Sequence, residues 1–239
     1  MTRLDLSPYC RDVLNCAAVC GLLPEEIATK LEQPDFTDLL RKFIHGQEHL
    51  ESDSDNTHTS LMDLPAFYGR IDVYTSAVAT FYAPSDISGV GGMRRERIHA
   101  VETWWKGPGR YDAVFVSTDP SAEGLQGHEV ARVRLFFSFS HNFVKYSCAL
   151  VDWYCRVGNS PDENTGMWMV EPVPVPEDDF SKSRTAILHL DTIVRAAHLI
   201  PVFGHRFVSR TLSYRDTLDK FTRFYVNKYA DHHSFEIAF

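Results

Sequence analysis

At 239 residues the chain is long enough for one large domain, or for one domain with a helical appendage. With 44% hydrophobic and 13% aromatic residues it is too apolar for intrinsic disorder, and no apolar run reaches the roughly 18 residues of a membrane span. A formal net charge of −8 argues against a general nucleic-acid binder, but the charge is segregated. Asp152–Asp179 holds seven acids against one base, Arg156, whereas Lys182–Lys228 holds nine Lys and Arg against three acids.

The N-terminus, MTRLDLSPYC, lacks the basic-then-apolar layout of a signal peptide, so an intracellular protein without membrane partners is expected. Ser7-Pro8 is a helix start signal, followed by an apolar stripe at Val13, Leu14, Ala17, Ala18 and Leu22 that Gly21 loosens. Pro24 opens a second helix through Leu31, with Glu25 and Glu26 at its positive dipole end. A third runs from Asp35 to about His49, with Phe36, Leu39, Leu40, Phe43 and Ile44 at helical spacing. These helices cannot bury their apolar faces alone and should dock on the remainder of the chain. Residues 1–50 are thus read as a helical segment, 51–65 as an acidic surface loop, and 66–239 as a β-rich domain with a C-terminal helix.

From Ala66 the period shortens to β-branched and aromatic runs broken by Gly, Pro, Asp and Asn. Candidate strands are Ile71–Phe81, Ala113–Ser117, Glu129–Ser138, Val144–Cys155, Gly166–Val170 and Thr185–Leu190, with a hairpin turn at Ser140–Phe143. Val173-Pro174-Val175-Pro176 is excluded from a central strand because proline lacks a ladder donor. Asp191–His198 reads as a short helix. Asp216–Asp231 reads as an amphipathic one, with Leu218, Phe221, Phe224, Tyr225 and Tyr229 on one side. The expected class is α+β: a curled antiparallel sheet or barrel flanked by N-terminal helices and a C-terminal helix.

Two basic clusters are candidate phosphate contacts: Arg94, Arg95 and Arg97, with Lys106 and Arg110 close behind, and Arg206, Arg210 and Arg215. They either meet on one face or pair with the acidic stretches. Gly89–Gly92 beside Arg94 and Arg95 is either an anion-binding loop or a tight turn whose glycines supply positive φ. Trp104, Trp105, Trp153 and Tyr154 either form a contact surface or fill the core. Trp104 and Trp105 are adjacent, so one of them should lie near the surface. Asp231, His232, His233 and Glu236 form a local metal-like cluster, and His45 and His49 have H-x3-H spacing on a helix. The residue after His45 is Gly46, not the glutamate a metalloprotease motif requires. The spacings of Cys10, Cys16, Cys20, Cys148 and Cys155 form no paired knuckles, and no nucleotide-binding or nucleophile-elbow motif is present. No cofactor is implied.

Five composition-biased words carry a family resemblance: FYAPSDISGVGGMRRER at Phe81–Arg97, YSCALVDWYCRVG at Tyr146–Gly158, TGMWMV at Thr165–Val170, LHLDTIVRAAHLIPVFG at Leu188–Gly204 and FYVNKYADHHSFEIAF at Phe224–Phe239. In order and spacing they resemble the C-terminal region of Plavaka-type transposases, a CACTA-like DDE group of mushroom-forming fungi. That resemblance covers nearly the whole chain but only the tail of such an enzyme. It implies a non-catalytic, nuclear accessory domain that recognises DNA or chromatin. The alternative is a protein-interaction or oligomerisation module. A DDE enzyme needs three carboxylates around two metals. Asp112, Asp152, Asp191 and Asp219 lie near strand or helix ends and read as caps or turn residues, so the catalytic core is expected to be missing. The word Val151-Asp152-Trp153-Tyr154-Cys155-Arg156 also resembles part of a BAH (bromo-adjacent homology) domain, a β-rich chromatin module.

Overall fold

Two long strands joined by a two-residue turn organise the molecule. The computed structural model describes residues 13–14, 18–49, 64–84, 91–174, 184–204, 207–208, 210–213 and 216–239. In chain order these form β1 (Val13–Leu14), β2 (Val19–Leu22), α1 (Pro24–Lys30), α2 (Phe36–Glu48), β3 (Ile71–Tyr74), β4 (Ser76–Tyr82) and β5 (Met93–Val101). Then come β6 (Arg110–Tyr111), β7 (Ala113–Ser117), β8 (His128–His141), β9 (Val144–Arg156), β10 (Met169–Pro172) and β11 (Thr185–His189). The chain ends with β12 (Ile193–Ala196), β13 (Leu199–Pro201), α3 (Thr217–Lys220), β14 (Phe224–Val226) and α4 (His232–Ile237).

Among the described residues the strands pair antiparallel in two sheets, β1-β4-β5-β6 and a larger curled one built on β8 and β9, so the α+β expectation holds. β8 pairs β9 along its length, while its other edge is shared between β7 and β3. β9 is shared in the same way between β11 and β10. Each long strand therefore crosses from one end of the fold to the other. The register slips between Val133 and Leu135, where Arg134 is the extra residue of a bulge. The bulge lets Val133 and Phe136 face the same core although they are three residues apart.

Three apolar clusters follow from this alternation. Val114, Val116, Ala131, Val133, Phe136 and Val151 pack against the β4–β5 hairpin, through Ala77, Ala79, Phe81 and Ile98. On the opposite face, Leu135, Phe137, Phe139 and Leu150 take the helices, through Ile27, Phe36, Leu40 and Ile44. The N-terminal helices thus dock on the sheet, with Phe36 edge-on to Phe137 at 5.6 Å. At the other end Phe115, Val130 and Tyr154 meet Trp168, Phe224 and Ile237.

Four local expectations are corrected. The stretch from Val13 to Leu22 is not helical where described: β1 pairs β4, and β2 pairs β3. Its Gly21 has φ +73° and its N–H is taken by Asp72, so the backbone partners of this segment lie in the sheet. Asp191–His198 is a single 3₁₀ turn at Leu190–Thr192 followed by β12, which pairs β7. The amphipathic helix over 216–231 is broken into α3 and β14, because Phe224 and Tyr225 fill the gap between β10 and β13. The terminal helix is instead α4, which Asp231 caps by accepting Ser234 N–H at 2.8 Å. Finally, Met93–Val101 is a strand that the glycines before it conceal. Ser7-Pro8, the cysteines Cys10 and Cys16, and the acidic loop up to residue 63 lie outside the described residues.

Candidate nucleic-acid interface

Side chains on β5 alternate, and the alternation divides the first arginine cluster. Arg94 stands opposite Phe81, Glu96 opposite Ala79 and Ile98 opposite Ala77. These face the interior, where Arg94 Nη1 lies 3.6 Å from Asp231. Arg95 and Arg97 point the other way and are exposed. Arg97 donates to Ser76 Oγ at 3.2 Å. Among the described residues neither Arg95 nor Arg97 has a carboxylate within ion-pair distance. Arg110 joins this outer face because it stands opposite Val101.

Aromatic and acidic groups hold Arg110 in place. Its guanidinium sits 5.1 Å above the Trp104 ring, and its Nε donates to Asp112 at 2.8 Å. Asp112 also accepts the His99 backbone N–H at 2.9 Å and lies 3.2 Å from His99 Nδ1. Burial lowers the His99 pKa, and the hydrogen bond to Asp112 opposes that shift. Trp105 is 84% exposed at a two-residue turn in which Trp105 and Lys106 have φ +50° and +60°. One tryptophan of the pair is therefore at the surface, as expected.

A cleft of about 660 Å³ runs beside this face. Arg97, Arg110 and Asp112 line it together with His198 to Pro201. Phe203 and Thr217, which bracket the second basic stretch, line the same cleft. Of that stretch Arg210 is exposed, while Arg206 and Arg215 lie outside the described residues. The floor is a charge network centred on Arg195, whose side chain is 4% exposed. Arg195 donates through Nη1 and Nη2 to the two oxygens of Asp231, each at 2.8 Å. Its Nε is 3.5 Å from Glu96, and its guanidinium stacks over Phe81 at 4.7 Å. The paired guanidinium holds the Asp231 carboxyl well below the usual carboxylate range. His233 stacks on Phe81 at 4.6 Å, and burial together with the Arg195 charge pushes its pKa down to about 4.

This arrangement separates the metal-like residues. Asp231 is committed to Arg195, His232 pairs with Glu236 at 3.1 Å, and His233 is packed on Phe81. Among the described residues no three His, Cys, Asp or Glu side chains are grouped to hold a metal. His45 and His49 stack on each other at 4.1 Å. Trp153 is half-buried against the β4–β5 core and Tyr154 is buried at the opposite end, so these two fill the interior. The Cys148 thiol is buried, which pushes its pKa up. Of the acids weighed as metal ligands, Asp112, Asp152 and Asp219 are held by cations or hydroxyls, and Asp191 is exposed. Asp152 accepts Thr185 Oγ1 and faces Arg134 and Arg184, and Asp219 pairs with Arg132.

The Arg195–Glu96–Asp231 network did not stand out in the sequence. Its one local signal is the cap pattern Asp231-x-x-Ser234; the rest comes from strands far apart in the chain. No family model, curated protein or solved structure matches the chain.

Proposed function

We propose that this chain is a non-catalytic nucleic-acid-recognition module, of the kind its resemblance to the tail of Plavaka-type transposases implies. Duplex DNA lies along the outer face of β5 and the cleft. One observation carries the reading: Arg97 and Arg110 line a single cleft, and Arg95 and Arg97 present guanidiniums with no carboxylate partner among the described residues. Three of the five words behind the resemblance, Phe81–Arg97, Leu188–Gly204 and Phe224–Phe239, supply residues to its walls. Arginines spaced along one strand face contact phosphates and fix orientation without reading bases. The overall charge of −8 keeps affinity modest and confines binding to this face. Asp112, Asp152 and Asp219 are each paired with an arginine. A DNA-recognition role places the protein in the nucleus, with chromatin as its natural setting.

Fluorescence anisotropy with labelled duplexes tests this. Affinity is expected to fall with salt, with a log–log slope of about −0.9 per phosphate contacted. Arg95→Ala with Arg97→Ala should weaken all duplex sequences alike and reduce the slope by about 1.8. Folded protein that binds no duplex at low salt overturns the proposal. A protein-interaction role is the second reading, favoured by Phe143, which is fully exposed at the β8–β9 turn. Sedimentation equilibrium showing a dimer that Phe143→Gly dissolves would support it.

A further inference from the structure

A lysine without an acid stands at the centre of an exposed aromatic patch on the C-terminal side of the fold. Lys228 follows β14 and is only 8% exposed. Among the described residues it has no carboxylate within ion-pair distance. Its Nζ lies 5.5 Å from the Tyr229 ring centroid, 5.1 Å from Phe235 and 5.4 Å from Phe239. The three rings adjoin one another, at 6.2 Å for Tyr229–Phe235 and 5.6 Å for Phe235–Phe239. They are nevertheless 61%, 39% and 72% exposed. The turn at Gly166 (φ +65°) closes over the lysine from behind: a Cβ there would stand 3.5 Å from Nζ, and Tyr229 Oη donates to Thr165 O. Glu236, the acid of α4, is turned to His232.

Packing does not require this arrangement. A buried cation is normally paired, because ring faces recover only part of its lost hydration. Three large apolar side chains in solvent are likewise a cost without an occupant. An anion carried on a flat aromatic body satisfies both, with its charge at the ammonium and its ring on the exposed ring faces. A lysine is a point charge suited to phosphate, and base stacking on aromatics tolerates any base. We propose that Lys228, Tyr229, Phe235 and Phe239 bind unpaired nucleotides of a single strand, as a site separate from the cleft. It stands without the duplex reading, because none of these four residues lines the cleft.

The test is an anisotropy titration of the full chain with a fluorescein-labelled oligothymidylate and, separately, a duplex of equal length. Tyr229→Ala and Phe239→Ala are each expected to weaken single-strand binding about tenfold and to leave duplex binding unchanged. Tyr229→Phe keeps the ring and should bind as wild type. Lys228→Met keeps the volume and should lower the single-strand salt slope by about 0.7. Both alanine variants replace largely exposed rings, and unchanged thermal unfolding confirms their fold. Single-strand affinity unaffected by either variant, or absent in the wild type, overturns the site. So does a dimer that Tyr229→Ala and Phe239→Ala convert to monomer, since a second copy would then be the occupant. Loss of duplex binding alone in Arg95→Ala/Arg97→Ala bears on the cleft and leaves this site standing.

Discussion

Arg195 shows how one buried charge can join four elements. It rises from β12, meets Asp231 at the start of α4 and Glu96 on β5, and lies over the ring of Phe81 on β4. Desolvating a guanidinium this deeply is offset only while its carboxylates remain. Asp231→Ala removes the two-pronged partner and the cap of α4 together, and should cost about 3 kcal/mol or more in urea unfolding. Asp231→Ser keeps a cap acceptor and should recover about 1 kcal/mol of that loss. His233 adds a pH dependence whose sign follows from its depressed pKa. The unfolded chain binds its proton from about pH 6.5 downward, whereas the folded chain does so only near 4. Stability contributed by neutral His233 is therefore complete above pH 6.5 and declines as the pH falls towards 4. His99 and His189, also lowered by burial, act in the same direction. His233→Gln is expected to flatten the slope of unfolding midpoint against pH in that window without abolishing it. Asp231 adds to that slope only at the acid end of the window, because its stabilisation begins to be lost as the pH approaches the unfolded carboxyl's 3.8.

The β8–β9 hairpin places a bulky residue where glycine would be cheaper. Asn142 and Phe143 have φ +49° and +64°, the left-handed pair of a type I′ turn, whose usual second residue is glycine. A left-handed side chain costs about 1 kcal/mol, and Phe143 recovers none of it by burial. Phe143→Gly is thus expected to stabilise the protein by about 1 kcal/mol in chemical denaturation. No gain would mean that the ring has a partner within the fold. The hairpin itself was legible in the sequence because both strands alternate cleanly and His141-Asn142 interrupts them. The helices α1 and α2 were legible from Pro24, Asp35 and the 3.6-residue stripe. Residues 216–231 misled because Leu218, Phe221, Phe224, Tyr225 and Tyr229 satisfy a helical period, while Phe224-Tyr225-Val226 is equally a short strand. A run that short takes the structure its neighbours leave open, here the space between β10 and β13. Val13–Leu22 failed for the same reason, since its partners, Val73 and Val78, lie more than fifty residues away.

At the scale of the whole molecule, the charge segregation was legible but its geometry was not. Arg94, Arg95 and Arg97 are adjacent in the sequence, and only the strand period of β5 shows that Arg94 belongs to the interior network and the other two to the surface. The helical, sheet-interior and C-terminal clusters share their strands. All three are threaded by β8, where consecutive residues enter different clusters: Phe136 meets the β4–β5 hairpin and Phe137 meets the helices. Both are fully buried, and truncating a buried phenylalanine typically costs about 3–5 kcal/mol. If the shared strands couple the clusters, Phe136→Ala and Phe137→Ala should each lower one common transition by that amount. The measurement is urea unfolding followed in parallel by far-ultraviolet circular dichroism and tryptophan fluorescence. Coincident curves are expected for the wild type and both variants. The informative failure is an early, separate loss of helical signal in Phe137→Ala alone. That outcome would mean α1 and α2 are a detachable layer, and that β8 transmits stability along the sheet but not across it.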